Sequence, residues 1–122
     1  MLARAAKMYQ SVDLESASKT QIVEKLFDRF ARDVGDARVA IDAKDVPGKA
    51  AAIDHASRIV VELRAALDHT AAPELARHLD ALYGFVADRL SEASLAMKSP
   101  PLAHAERVMA TLADGFRQAH RT

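Results

Sequence analysis

Histidine has the widest chemistry of any side chain here, and the sequence holds five: His55, His69, His78, His104 and His120. An imidazole can ligate a metal, carry a proton near neutral pH or accept a phosphoryl group. Zinc needs several ligands converging from fixed spacings, and neither His-Glu-x-x-His nor a paired Glu-x-x-His occurs. Glu74 and His78 stand four residues apart, the spacing of a local helix contact. The chain has no Cys, which excludes disulfides and thiolate metal sites. Neither a metal nor a cofactor is expected.

His55 raises a different chemistry, because phosphotransfer domains are helical bundles with an exposed histidine in a His-x-x-Lys-Gly setting. Here His55 is followed by Ala56, Ser57, Arg58 and Ile59, so the glycine that opens space beside the imidazole is missing. Phosphotransfer through His55 stands as an alternative only. No nucleophile elbow, Gly-rich phosphate loop or carboxylate cluster is present, and most acidic residues are expected on solvated faces. Catalysis has no visible home, so the chain is expected not to be an enzyme.

The elements that would position these side chains are helices. Between Ala50 and Leu90 two apolar patterns flank a short break. Ile53, Ala56, Val60, Leu63 and Leu67 follow 3-4 spacing on one face, and Leu75, Leu79, Leu82, Val86 and Leu90 nearly repeat it. Ile53, Val60, Leu63, Leu82 and Val86 are expected in the core. Ile59 and Val61 flank Val60, while Tyr83 and Phe85 flank the second row. Successive residues turn about 100° around a helix, so these extras widen the apolar stripe beyond what one seam needs.

Ser18-Lys19-Thr20-Gln21 reads as a capping box. It opens a helix carrying Val23, Leu26, Phe27, Phe30, Val34, Ala37 and Ile41. Gly35 interrupts that helix at a cost of about 1 kcal/mol relative to Ala, which would admit a close neighbour or be a plain loss of propensity. Asp45 is the expected N-cap of the next helix, with Pro47 in its first turn, running to about Asp68. The break at Thr70–Ala72 precedes Pro73, which starts a third helix ending near Met97. Ser99-Pro100-Pro101 separates it from the last, where Leu102, Ala105, Met109, Leu112, Phe116 and Ala119 repeat the spacing. Short connections make sequential helices antiparallel neighbours. The expected fold is all-α: an antiparallel up-down four-helix bundle over residues 18–122, preceded by an N-terminal extension over residues 1–17.

Composition agrees. At 122 residues the chain is one domain, 50% hydrophobic, with only four Gly and four Pro. Lys plus Arg and Asp plus Glu are both 17, and a neutral chain lacks the footprint of a nucleic-acid binder. No apolar run reaches the length of a membrane span. The opening MLARAAKMYQ has no apolar core or cleavage site of a secretory signal, so a cytoplasmic protein is expected. Surplus apolar surface without a catalytic site points to a protein-binding module, and a structural bundle forming a homodimer is a further reading.

Tyr9-Gln10 with Val12-Asp13, then Ala37-Arg38-Val39-Ala40-Ile41 and Asp45, form an ordered set with two later segments. These are His55 to Leu63 followed by Leu67-Asp68, and Leu79-Asp80-Ala81-Leu82-Tyr83. The set resembles the FliS family of flagellin export chaperones across nearly the whole chain. It departs in having Ala71-Ala72-Pro73 where a glycine pair is common, His55 for a usual Lys, Ser94 for a usual Asn and Phe116 for a frequent Trp.

The resemblance implies a cytosolic chaperone that binds the disordered C-terminal segment of flagellin, prevents premature polymerisation and delivers subunits to the flagellar type III export gate. A bundle with apolar grooves would sequester the amphipathic stripes of such a partner, which loses conformational entropy as it orders. Ile59, Val61, Tyr83 and Phe85 are the candidate contact residues, and Tyr83 suits an interface because its ring can be buried while its hydroxyl stays wet. Met8, Tyr9, Val12 and Leu14 are too apolar for an idle tail and are expected to form an N-terminal cap.

Overall fold

Helices form where the 3-4 spacing places them. The computed structural model describes residues 19–120. Ser18 of the expected capping box, and Met8, Tyr9, Val12 and Leu14, lie outside the described residues. The described residues form four helices, α1 (Lys19–Asp42), α2 (Val46–Ala65), α3 (Pro73–Ala96) and α4 (Pro100–Ala119). No strand occurs among the described residues.

The turns explain the boundaries. Beyond α1, Asp45 N–H donates to the Ala40 carbonyl at 2.8 Å and Lys44 N–H to that of Ile41 at 3.0 Å. Lys44 is left-handed, with φ 58°, as this way of ending a helix requires. Asp45 then caps α2, its carboxylate accepting from Gly48 N–H at 3.0 Å. A Cβ at Gly48 would crowd that carboxylate as it now lies, and the Asp45 side chain would have to shift. Helix α2 stops at Ala65, short of the expected Asp68, because the Asp68 carboxylate captures amides of the following turn. It accepts from Thr70 Oγ1 at 2.6 Å, Thr70 N–H at 2.9 Å and Ala71 N–H at 3.0 Å. These bonds, the Thr70 hydroxyl first, hold its carboxyl below the usual carboxylate range. Pro73 and Pro100 open the last two helices, and left-handed Met97, with φ 54°, closes α3.

Each helix packs on its sequence neighbours, and α4 closes the ring against α1. Ion pairs mark the antiparallel sense of that last seam: Arg38 meets Glu106 at 3.0 Å, and Arg117 meets Asp28 at 3.0 Å. The largest fully buried side chains come from all four helices: Phe30 and Val34, Val60, Val86 and Leu90, and Leu102.

Two expectations about packing change. Leu82 is not core but 40% exposed, and Leu75 is also exposed. The buried row of α3 is Ala76, Tyr83, Val86, Leu90 and Ala93, with Leu79 packed against it. Tyr83 therefore occupies the inward place expected of Leu82. Gly35 admits no neighbour, since a Cβ built on it would meet nothing within 4 Å.

Replacing Leu90, fully buried, by Ala should cost about 2–5 kcal/mol of stability, whereas Leu95→Ala should stay within about 0.5 kcal/mol. Urea denaturation of both variants checks this; equal losses would mean that the α3 row points elsewhere.

Candidate partner-binding surface

An apolar side chain left in water by the fold can be covered by a partner. Val61 (57%) and Phe85 (42%) are exposed in this way. Ile59 (4%) and Tyr83 (5%) are not, so these two leave the candidate surface. Ile59 sits one residue from Val60 but on the edge of α2 that faces α1, the edge His55 shares. Tyr83 turns inward with the α3 row. Burial of its ring pushes the phenol up to about 12.

The orientation of α3 follows from its contact with α2. Arg64 forks onto Asp80, Nε to Oδ1 at 2.9 Å and Nη2 to Oδ2 at 3.1 Å. The bond raises the Arg64 pKa and lowers that of Asp80, each chiefly through the hydrogen bond between them. Gly84 lies beneath the same guanidinium, 3.8 Å from where its Cβ would stand. Farther along the seam, Lys49 Nζ donates to the Ser94 carbonyl at 3.0 Å. Asp80, Gly84 and Ser94 thus mark the α2-facing edge of α3.

Between these helices runs an open groove of about 720 Å³ lined by Ala50, Ile53, Ser57, Ser91, Ser94 and Leu95. Val61 stands one turn beyond Ser57 on the same edge of α2. Phe85 lies nine residues from Ser94, half a turn round α3 at 100° per residue, and so faces the α4 side. There it joins Leu82 and Leu75, and the Arg89 guanidinium covers its ring at 5.3 Å. Of the exposed apolar residues, Val61 and Leu95 lie on the α2 flank of α3 and Leu75, Leu82 and Phe85 on its α4 flank, while Val39 on α1 and Val46 at the start of α2 stand apart. Sequence periodicity missed Leu75 and Leu82 because it assigned them to the core row.

His55 is engaged otherwise. Its Nδ1 lies 2.5 Å from Oδ2 of Asp33, whose Oδ1 accepts from Arg29 Nε at 3.2 Å. Asp33 is buried, unlike most acidic residues of the chain, and a buried carboxylate needs such partners. The signal for this was the Arg29/Asp33 spacing on a helix that also carries Phe30 and Val34. One imidazole nitrogen is thus committed to joining α1 and α2. Among the described residues no group of three or more His, Cys, Asp or Glu could hold a metal ion, and no helix is long and apolar enough to cross a membrane.

With this geometry in hand, comparisons with known proteins converge. The family model described as flagellar protein FliS matches residues 1–122. The flagellar secretion chaperone FliS of Salmonella typhimurium is 31% identical over 121 residues, covering 95% of this chain and 90% of that protein. Flagellar secretion chaperone FliSB of Pseudomonas aeruginosa is 34% identical over 95 residues, 75% of each chain. The Escherichia coli flagellar secretion chaperone FliS is 28% identical over 122 residues, covering 96% of this chain and 90% of its own.

The Tyr83 phenol yields a pH test. Its folded pKa is raised above the ordinary 10.0, so its contribution is complete below pH 10 and is lost as pH rises towards and through about 12. Melting temperature measured across that range should fall more steeply for the parent than for Tyr83→Phe. Parallel curves would place the Tyr83 ring in water.

Proposed function

The chain belongs to the FliS family of flagellar secretion chaperones, and from that premise we propose that it binds the disordered C-terminal segment of flagellin in the cytoplasm. It holds the subunit unpolymerised and delivers it to the flagellar type III export gate. Its task is binding, not catalysis. The observation that carries this reading is the pair of exposed apolar patches flanking α3, with Val61 on one side and Leu75, Leu82 and Phe85 on the other. Two separated patches suit an extended partner with more than one amphipathic piece, since neither patch alone offsets the entropy of ordering a disordered chain.

Residues 1–17 regulate access in this reading. Helix α1 begins at the end of the bundle where α3 begins and α4 ends. Met8, Tyr9, Val12 and Leu14 supply apolar side chains to cover the exposed apolar surface in the free protein. Each contributes roughly 1.5–3 kcal/mol on burial, much of it offset by chain ordering, which makes the cover reversible. Flagellin then competes with it, and apparent affinity falls with the covered fraction.

Val61→Glu and Phe85→Glu should each weaken binding of a flagellin C-terminal peptide about tenfold or more, because the new charge is desolvated in the complex. Circular dichroism should show unchanged helicity. Parent-like binding by both folded variants would move the site elsewhere. A bundle that only forms a homodimer would bind no peptide and sediment as a dimer.

Deleting residues 1–15 should tighten peptide binding while thermal unfolding shows an intact bundle. Unchanged or weaker binding by the folded truncation rejects the cover and assigns the segment to the core or to direct partner contact.

A further inference from the structure

Among the described residues, two glycines interrupt helices with no neighbour that calls for them. At Gly35 in α1 and Gly115 in α4, an added Cβ would meet nothing within 4 Å. Each weakens its helix relative to alanine, because glycine gives up more backbone freedom on folding. Their surroundings differ. Glu106 and Arg117, paired with Arg38 and Asp28, mark the α1-facing edge of α4. Gly115 is nine residues from Glu106, half a turn round the helix, and so lies on the edge facing α3. Val108, Leu112 and Ala119 share that edge, and Val108 and Leu112 are half-buried against the core.

Its level along the bundle follows from the short α3–α4 connection. Leu82 is 14 residues before Ala96, and Gly115 is 15 residues after Pro100. At 1.5 Å per residue the two stand level, about 21–22 Å from the connection. Leu75, Leu82 and Phe85 thus form one wall of a trough, and Val108, Leu112, Gly115 and Ala119 the other. The α3 wall alone runs for about 15 Å. A straight trough between antiparallel helices, with apolar walls and a bare backbone at one point, has the form that takes an amphipathic helix.

We infer that Gly115 is the point of closest approach for a helix of the bound flagellin segment, its missing side chain letting the partner backbone settle between Leu82 and Leu112. This rests on the flagellin reading above. The glycine then has opposite effects on two measurable quantities: it lowers the stability of the free bundle and raises the affinity of the complex. Gly35, on the α1 edge that faces α4 instead, lowers stability only.

The test compares Gly115→Ala, Gly115→Leu and Gly35→Ala in the full chain, by thermal unfolding and by calorimetric titration with a flagellin C-terminal peptide. Both alanine variants should melt about 3–4 °C higher than the parent. Gly35→Ala should bind like the parent, Gly115→Ala more weakly, and Gly115→Leu about tenfold more weakly or worse through overpacking. A parent that binds while both Gly115 variants bind equally well overturns the role of Gly115 and leaves the flagellin reading standing. Equal weakening by Gly35→Ala also overturns it, since the effect would then not belong to the trough. A parent that does not bind the peptide overturns both.

Discussion

Four amphipathic helices can remove their apolar stripes from water only by presenting them to one another. They meet in one core, whose largest fully buried side chains are Phe30 and Val34 from α1, Val60 from α2, Val86 and Leu90 from α3 and Leu102 from α4. Side chains packed at the density of an organic crystal tolerate little change of volume or angle. Every helix must therefore take the rotation that completes this core, and whatever lies on its other faces is placed by that requirement. The outer surface, where a partner would sit, is a consequence of the core.

Helix α3 shows how the consequence is worked out. Its inward row could begin at Leu75 or at Ala76, and the two choices differ by about 100° at Leu82 and Tyr83. The Arg64–Asp80 fork, the bare Gly84 beneath Arg64 and the Lys49–Ser94 bond hold one edge of α3 against α2. That orientation sends Tyr83 inward and leaves Leu82 and Phe85 on the side towards α4. Partly exposed ion pairs contribute little to stability individually, but a bidentate fork sets direction well.

The polar interior follows the same logic. Asp33 sits among apolar residues of α1 and is tolerated because His55 and Arg29 supply its hydrogen bonds. The histidine that offered the most chemistry in the sequence thus has a structural task, joining α1 to α2. The outer faces of the bundle carry exposed apolar side chains, and the chain belongs to a family of secretion chaperones.

The number and order of the bundle helices, their starts at Asp45, Pro73 and Pro100, and their antiparallel succession were legible in the chain, because each depends on residues within a turn or two of one another. The ordered segments from Tyr9 to Tyr83 were enough to point to the family. The end of α2 was misplaced because the capture of the Thr70 and Ala71 amides by Asp68 competes with three more residues of apparent helix. The rotation of α3 was beyond a periodicity reading. Rows starting at Leu75 and at Ala76 share Leu79, Val86 and Leu90 and fit a 3.6-residue repeat almost equally well. Only the long-range contacts of Asp80, Gly84 and Ser94 with α2 choose between them. Of the four side chains first assigned to the surface, those contacts and the shared core keep Val61 and Phe85 outside and draw Ile59 and Tyr83 in.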